Sequence, residues 1–196
     1  MNLPNKLTVG RIVLTPVFMA TMIIKFPYHY AVSLLIFIIA SLTDMLDGKI
    51  ARKNNLITDF GKFLDPLADK MLTTAGYLGF MWLFAKSNIY GWQITAILFL
   101  ILFREFMVSS LRLVTVSSGG KVVAANIWGK SKTVSQMVGL IVALFAYVLI
   151  EDFSLTGLQN IFDIIIFIMF WISAVLCTVS GCIYLNQCKS FINSSK

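Results

Sequence analysis

Long apolar stretches, separated by short polar breaks, recur along the whole chain. They cover residues 7–26, 31–51, 66–85, 93–116, 133–150 and 160–185. A helix of about 20 residues, rising ~1.5 Å per residue, is long enough to cross the ~30 Å hydrocarbon core of a bilayer. Because 58% of the residues are hydrophobic and only 13% are charged, a soluble domain is excluded. The pattern predicts an all-α polytopic membrane protein, with six transmembrane helices in a compact bundle and a single domain over residues 1–196.

The basic residues are distributed unequally between the two ends of these helices. If the chain crosses the membrane six times, all 16 Lys and Arg residues except Lys25 and Lys86 fall on the side where the chain begins. Short cytoplasmic loops carry such an excess of positive charge, so both termini are expected in the cytoplasm. The net charge of +7 is expected to face anionic lipids and phosphate-bearing substrates. No nucleic-acid motif is present, and no nucleic-acid partner is expected.

A short acidic segment interrupts this apolar chain. Residues 44–69, DMLDGKIARKNNLITDFGKFLDPLAD, contain five aspartates, Asp44, Asp47, Asp59, Asp65 and Asp69. An ionised side chain inside a membrane helix costs ~2.5 to 3.5 kcal/mol, so such residues indicate a functional site. Asp59 by itself is explained as a helix-capping residue. The other four require a functional explanation.

The spacing of these residues places them on two helix faces. One stripe, at the end of the second helix, contains Asp44, Asp47, Gly48, Ala51 and Arg52; a second, at the start of the third helix, contains Gly61, Asp65 and Asp69. A short turn joins the two helices, so we expect antiparallel neighbours whose acidic stripes face each other. Pro66 either opens the third helix, with Asp65 as its cap, or lies within a helix that begins near Thr58.

Four converging carboxylates repel one another unless cations lie between them. Ligand sets made only of oxygen suit Mg²⁺, Mn²⁺ or Ca²⁺, and two divalent ions would roughly neutralise four aspartates. Paired metals are suited to an in-line displacement at phosphorus, because they stabilise the attacking and leaving oxygens. Arg52 could then hold a phosphate or a base. A cation transporter is the alternative, but the acids lie at helix ends rather than at the midplane.

The same eight residues carry a family resemblance. They match the pattern D-x2-D-G-x2-A-R-x8-G-x3-D-x3-D without a gap or substitution, and the chain therefore resembles the CDP-alcohol phosphotransferases. The resemblance implies a homodimeric membrane enzyme that moves a phosphatidyl or related group from a CDP-linked donor to an alcohol and releases CMP. It also implies two divalent cations, Mg²⁺ or Mn²⁺, bound by Asp44, Asp47, Asp65 and Asp69, with Asp69 as the general base.

The resemblance further implies a nucleotide site and a cytoplasmic active site in the bacterial inner membrane. Gly48, Ala51, Arg52 and Gly61 belong to the part of the signature expected near the CDP group. Asn5 and Thr8 share one helix face with Arg11 and could close the nucleotide pocket. The alternative for this first segment is a helix start that lies at the membrane interface.

The segments LPNKLTVGRI, DFGKFLDPLADK, REFMVSSLR and GKSKTVSQ extend the resemblance beyond the signature. They imply CDP-diacylglycerol as the donor and sn-glycerol 3-phosphate as the acceptor, with inositol phosphate or phosphatidylglycerol as alternative acceptors. A phosphorylated acceptor needs a cationic clamp, and the candidates are Arg104, Arg112, Lys130 and Lys132. The positive-inside rule is an alternative explanation for the two lysines. Glu105, next to Arg104, is expected to point elsewhere.

Overall fold

The computed structural model describes residues 2–53, 59–85, 87, 89–117 and 127–193, and within these ranges the chain is helical, with no strand. The six α-helices are α1 (Leu3–Ile23), α2 (His29–Lys53), α3 (Asp59–Phe84), α4 (Tyr90–Ser117), α5 (Ile127–Tyr147) and α6 (Gln159–Asn193). A π-helical turn at Val148–Asp152 extends α5, and a 3₁₀ turn at Thr156–Leu158 precedes α6. The predicted all-α class is confirmed.

Several of these helices are long and apolar enough to cross a bilayer. Among the described residues, four segments meet that condition, Asn5–Ile23, Tyr90–Thr115, Ile127–Asp152 and Thr156–Cys188, and His29–Asp44 is a shorter apolar helix. In α3, charged residues are concentrated in the first half of the helix, at 59–70, which leaves only 71–84 apolar. The structure supports a multi-pass membrane protein, and the count of six spans stays a prediction.

The start of α3 resolves the two alternatives for Pro66. The helix begins at Asp59, so Pro66 lies in its interior rather than at its first turn. A proline inside a helix cannot donate a backbone hydrogen bond to the preceding turn. This missing bond lies beside Asp65 and one turn before Asp69, within the acidic part of the helix.

The packing of α1 differs from the arrangement expected from the short turn between α2 and α3. In the described part of the chain, α1 packs along both α2 and α3, whereas α2 and α3 contact each other little. The first helix therefore holds together the two helices that carry the aspartates. On the other side of the bundle, α6 packs against both α4 and α5, and α5 also packs against α2.

An aromatic core holds α3, α5 and α6 together in the half of the bundle away from the aspartates. Tyr77 and Phe170 have ring centroids 4.9 Å apart, and Phe80 lies 5.8 Å from Tyr147, which lies 6.0 Å from Phe84. Ring pairs at these distances add stabilisation beyond the area that they bury. Rigid packing at this end, called the far end below, leaves the opposite ends of the helices to form a polar site.

Polar contacts also tie helices together at the far end. The carboxylate of Asp152, in the π-helical turn, accepts a hydrogen bond of 2.8 Å from the backbone N–H of Ala31 in the first turn of α2. Lys25 lies 4.0 Å from Glu151, and the Tyr147 hydroxyl donates to Asp163 over 3.0 Å. These acids belong to the ends of α5 and α6 and are separate from the aspartates of α2 and α3.

Candidate active site

Side chains of α1 contact the aspartates of both neighbouring helices. The guanidinium of Arg11, which is only 1% exposed, forms an ion pair with Asp44 of α2. The hydroxyl of Thr8 donates a hydrogen bond of 2.8 Å to Asp65 of α3. Since Thr8 and Arg11 are three residues apart, they share one face of α1. That face fixes one carboxylate from each of α2 and α3.

Asp69 completes an acidic cluster, which we define as Asp44, Asp65 and Asp69. It is half-buried on α3, one turn after Asp65, and it interacts electrostatically with Asp44 of α2. Arg11, Lys70 and Lys132 lie close enough to act on it with the opposite sign. The structure therefore brings together carboxylates from α2 and α3, and it surrounds them with cations.

The other residues of the signature are described to different extents. Gly61 is buried near the start of α3, and Asn5 is buried near the start of α1. The backbone of α2 continues to Lys53. The side chains of Asp47, Ala51 and Arg52, and the surroundings of Gly48, lie outside the described residues. Nothing about their predicted roles follows from the structure.

The acidic cluster has the right donor chemistry for hard divalent cations. Carboxylate oxygens are the ligands that Mg²⁺ and Mn²⁺ prefer, and Asp44 and Asp69 are neighbours on different helices. Within the described ranges, no group of three or more His, Cys, Asp or Glu residues is placed to hold a metal ion. Because the side chain of Asp47 is not among those described, the predicted set of four ligands stays a prediction.

A second group of charges surrounds Glu105 on α4. Its Oε1 atom accepts a hydrogen bond of 3.1 Å from Nη1 of Arg104 and also forms an ion pair with Lys132. Nζ of Lys70 lies 3.8 Å from Oε2 of the same carboxylate. The expectation that Glu105 points away from Arg104 was therefore wrong, since its flexible side chain turns toward three cations from three helices. We call Lys70, Arg104, Glu105 and Lys132 the Glu105 cluster.

The predicted phosphate-binding residues divide into two pairs. Arg104 and Lys132 are buried and meet at Glu105, and Arg104 also donates from Nη2 to the Ser180 hydroxyl over 2.7 Å. Arg112 and Lys130 are exposed. Arg112 nevertheless acts electrostatically on Arg104 and Lys70.

Sequence reasoning missed Lys70 as a member of this site. It follows Asp69 directly, so helical spacing placed it off the acidic stripe. The signal that could have identified it is a lysine close to an apolar run, where a positive charge requires a partner. In the structure its amino group contacts both Glu105 and the hydroxyl of Ser109.

A cavity of about 740 Å³ between α1, α3, α4 and α5 connects the two clusters. Its polar lining includes Asp69 from the acidic cluster, and Lys70, Glu105 and Lys132 from the Glu105 cluster. Its remaining walls are largely apolar side chains, among them Ile12, Met19, Leu67, Met71, Leu78, Leu102 and Phe106. Leu67, Met71 and Phe106 are also exposed on the outside of the bundle, Phe106 to 67%. The cavity is thus polar where the clusters meet and apolar where it faces lipid.

A membrane-embedded pocket that joins clustered carboxylates to buried cations is suited to phosphoryl-group chemistry on an amphiphile. The family model described as CDP-alcohol phosphatidyltransferase matches residues 1–179. The chain belongs to this family, whose members generally depend on divalent cations.

Similar proteins from several bacteria carry one common description. The chain is 36% identical to a protein of Bacillus subtilis (strain 168) named CDP-diacylglycerol–glycerol-3-phosphate 3-phosphatidyltransferase, over 95% of this chain and 94% of that protein. It is 40% identical to a protein of the same name from Rickettsia bellii, over 97% of each chain. A third, from Rickettsia typhi, is 39% identical over 97% of this chain and 98% of its own length.

Proposed function

We propose that this protein transfers the phosphatidyl group of CDP-diacylglycerol to sn-glycerol 3-phosphate and forms phosphatidylglycerophosphate and CMP. The observation that carries this proposal is the cavity that joins Asp69 to the Glu105 cluster. It places a carboxylate next to buried cations, and it has an apolar side for lipid. The names of relatives that match nearly the whole chain at 36–40% identity support the same substrates.

The cations on one side of the cavity favour a phosphorylated acceptor over a neutral alcohol. Charge-assisted hydrogen bonds from lysine and arginine to phosphate are about twice as strong as neutral ones. Lys132 lines the cavity, and Arg104 and Arg112 lie close enough to act electrostatically on Lys70, which also lines it. Lys130 is proposed to add a further positive charge. The phosphate of glycerol 3-phosphate would bind here, with one of its two free hydroxyls directed toward Asp69.

Asp69 is the proposed general base. It accepts the proton of the acceptor hydroxyl as that oxygen forms a bond to the phosphorus attached to diacylglycerol. The bond between this phosphorus and the oxygen bridging to CMP breaks, and CMP leaves with the electron pair. Atoms and charges balance, because the proton lost by the acceptor stays on Asp69 until solvent removes it.

The donor requires room for both a nucleotide and two acyl chains. Exposed apolar residues at the cavity, Leu67, Met71 and Phe106, would let acyl chains remain in the bilayer. The nucleotide would lie at the cytoplasmic ends of the helices, near the proposed binding residues Asn5, Thr8, Gly48, Ala51, Arg52 and Gly61. Such an arrangement keeps the charged diphosphate out of the hydrocarbon.

Two divalent cations, Mg²⁺ or Mn²⁺, are proposed to bind Asp44, Asp47, Asp65 and Asp69. When bound, they would supply positive charge at the reacting phosphorus. Arg11 and Thr8 hold Asp44 and Asp65 through the contacts described above. The proposal includes a single domain, a homodimer in the bacterial inner membrane, and both termini and the active site on the cytoplasmic side.

The reaction is tested with purified protein, CDP-diacylglycerol, radiolabelled glycerol 3-phosphate and Mg²⁺ or Mn²⁺. We expect label in the lipid phase, with one CMP released for each labelled lipid. Inositol phosphate or phosphatidylglycerol as the acceptor should give much less product. Folded protein that produces no labelled lipid would contradict the proposal.

Substitution of the general base provides a sharper test. Asp69→Asn should lower the rate by about 100-fold or more, because general-base catalysis typically contributes 10²–10⁴-fold. The matched control is Asp163→Asn, which removes a buried carboxylate that contacts Tyr147 at the far end. That variant should retain most of the activity. Equal rates for the two variants would exclude Asp69 as the base.

A further inference from the structure

Glu105 holds a position that a simple phosphate-binding pocket does not explain. A carboxylate that faces an anion-binding cavity repels the anion, yet Glu105 lines the same cavity as Lys70 and Lys132. Its side chain is 13% exposed, and those of Arg104 and Lys132 are 9% and 10% exposed. A carboxylate this deep in the bundle is retained only where its contacts compensate for its burial.

The contacts of Glu105 form a chain that ends at the cavity. Ser180 of α6 accepts a hydrogen bond from Arg104, and Arg104 donates to Glu105. Glu105 in turn pairs with Lys132 and lies 3.8 Å from Lys70. Within the described lining of the cavity, both lysines are present and Arg104 is not. Arg104 therefore holds Glu105 from the side away from the cavity, and Glu105 holds the two lysines that line the cavity.

The charges of the cluster match those of a phosphate monoester. One carboxylate among three cations leaves an excess of two positive charges. Asp69 and Arg112 also act on the cluster, but their charges are opposite and leave this excess unchanged. A phosphate monoester carries about −1.5 to −2 charges at neutral pH. Each lysine amino group also has three N–H donors, so Lys132 can bind Glu105 and a phosphate at once.

We propose that Glu105 is a positioning residue for the acceptor, which orients Lys132 and Lys70 so that they bind the phosphate of a phosphate monoester. This inference rests on the proposed function and goes beyond it by assigning a role to an acidic residue. A lysine side chain is flexible and loses much rotamer freedom when it binds a ligand. By fixing the lysines before the acceptor arrives, Glu105 reduces that loss, and this gain outweighs its repulsion of the phosphate.

The test separates binding of the acceptor from binding of the donor. In Glu105→Gln the side chain keeps its shape and one acceptor oxygen but loses its charge, so the lysines are held less firmly. We expect the KM for glycerol 3-phosphate to rise about 5- to 20-fold and the KM for CDP-diacylglycerol to change by less than about 2-fold. Inorganic phosphate, used as a competitor of glycerol 3-phosphate, should lose potency by the same factor.

Two further variants make the result specific. Glu151→Gln is the matched control, since Glu151 pairs with Lys25 at the far end, and both KM values should stay at the wild-type level. Glu105→Asp keeps the charge on a shorter side chain, so its KM for glycerol 3-phosphate should lie between those of the wild type and Glu105→Gln. It also serves as the test variant if Glu105→Gln does not fold.

Several results would overturn the proposal. An unchanged or lower KM for glycerol 3-phosphate in folded Glu105→Gln would show that Glu105 does not order the lysines. An equal rise in both KM values, or failure of both Glu105 variants to fold, would show a purely structural residue. Failure of the proposed function is distinguishable from these results, because the wild-type protein itself would then produce no labelled lipid.

Discussion

Arg11 is a buried cation whose ion pair with Asp44 links α1 to the acidic cluster. Arg11→Gln would leave Asp44 without this partner and would allow its carboxylate to move. We expect at least a 10-fold loss of phosphatidyl transfer and a loss of about 1–3 kcal/mol in stability, since removing one partner of a buried hydrogen bond costs about that much. Turnover and thermal unfolding of the purified variant measure the two effects.

The matched control for Arg11 is an ion pair outside the site. Lys25 is exposed and lies 4.0 Å from Glu151, so Lys25→Gln should change neither turnover nor stability measurably. Arg11→Lys keeps the charge but not the planar fork of the guanidinium. Its turnover and stability should therefore lie between those of Arg11→Gln and Lys25→Gln. Wild-type turnover in Arg11→Gln would show that α1 does not position the aspartates.

At the scale of residues, the sequence indicated which charged residues form the site better than it indicated where their side chains point. The spacing of Asp44 and Asp69 placed them on facing helix ends, and the structure brings them together. The side chain of Glu105 could not be placed, because spacing gives the direction of Cβ but not that of a long side chain. Two of its three partners, Lys70 and Lys132, come from α3 and α5, and only the tertiary packing brings them within reach.

Among the elements, α4 and α6 approach closely where the Glu105 cluster is anchored. A Cβ atom added at Gly181 would lie 2.9 Å from Cγ of Arg104 and 3.2 Å from Cε of Met107. Gly181→Ala should therefore displace Arg104 and loosen its hold on Glu105. We expect the KM for glycerol 3-phosphate to rise several-fold, with a smaller change for CDP-diacylglycerol, as measured by steady-state kinetics.

The control for Gly181 is a glycine with free space around it. At Gly157, in the 3₁₀ turn before α6, an added Cβ meets no atom within 4 Å. Gly157→Ala should leave both KM values unchanged. A Gly181→Ala variant with wild-type kinetics would mean that Arg104 can shift without affecting the acceptor site.

The helices themselves could be predicted from the sequence, but which helices pack against each other could not. Each predicted apolar stretch corresponds to an observed helix, and several helices extend further, as in α6, which spans Gln159–Asn193 rather than 160–185. Polar residues prolong a helix beyond the apolar run without interrupting its backbone hydrogen bonds. The sequence carries no clear signal that α1 packs against both α2 and α3, because a helix that is apolar on most faces does not show which face packs.

For the molecule as a whole, we predict six crossings with both termini in the cytoplasm. After replacement of Cys177, Cys182 and Cys188, single cysteines would be introduced at Lys25, Ser154 and Lys130. A membrane-impermeant maleimide added to right-side-out vesicles should label the first two. It should label the third only after permeabilisation, since Lys130 belongs to the basic face.

The comparison of positions at the two ends provides the internal control for topology. Lys25 and Glu151 are close in space, so positions 25 and 154 should respond alike. Labelling of position 130 in intact vesicles would contradict a cytoplasmic Glu105 cluster. Labelling of position 25 but not position 154 would contradict the count of six crossings.

The burial of Arg11 also has a consequence for biogenesis. Arg11 lies ~12 Å along α1 from its first residue, at ~1.5 Å per residue, and α1 reaches the translocon before the end of α2 that carries Asp44. A lone arginine at that depth costs a few kcal/mol in lipid, whereas a neutralised pair costs less. The first helix would therefore remain near the translocon until the second arrives, and the two would be released into the bilayer as a hairpin.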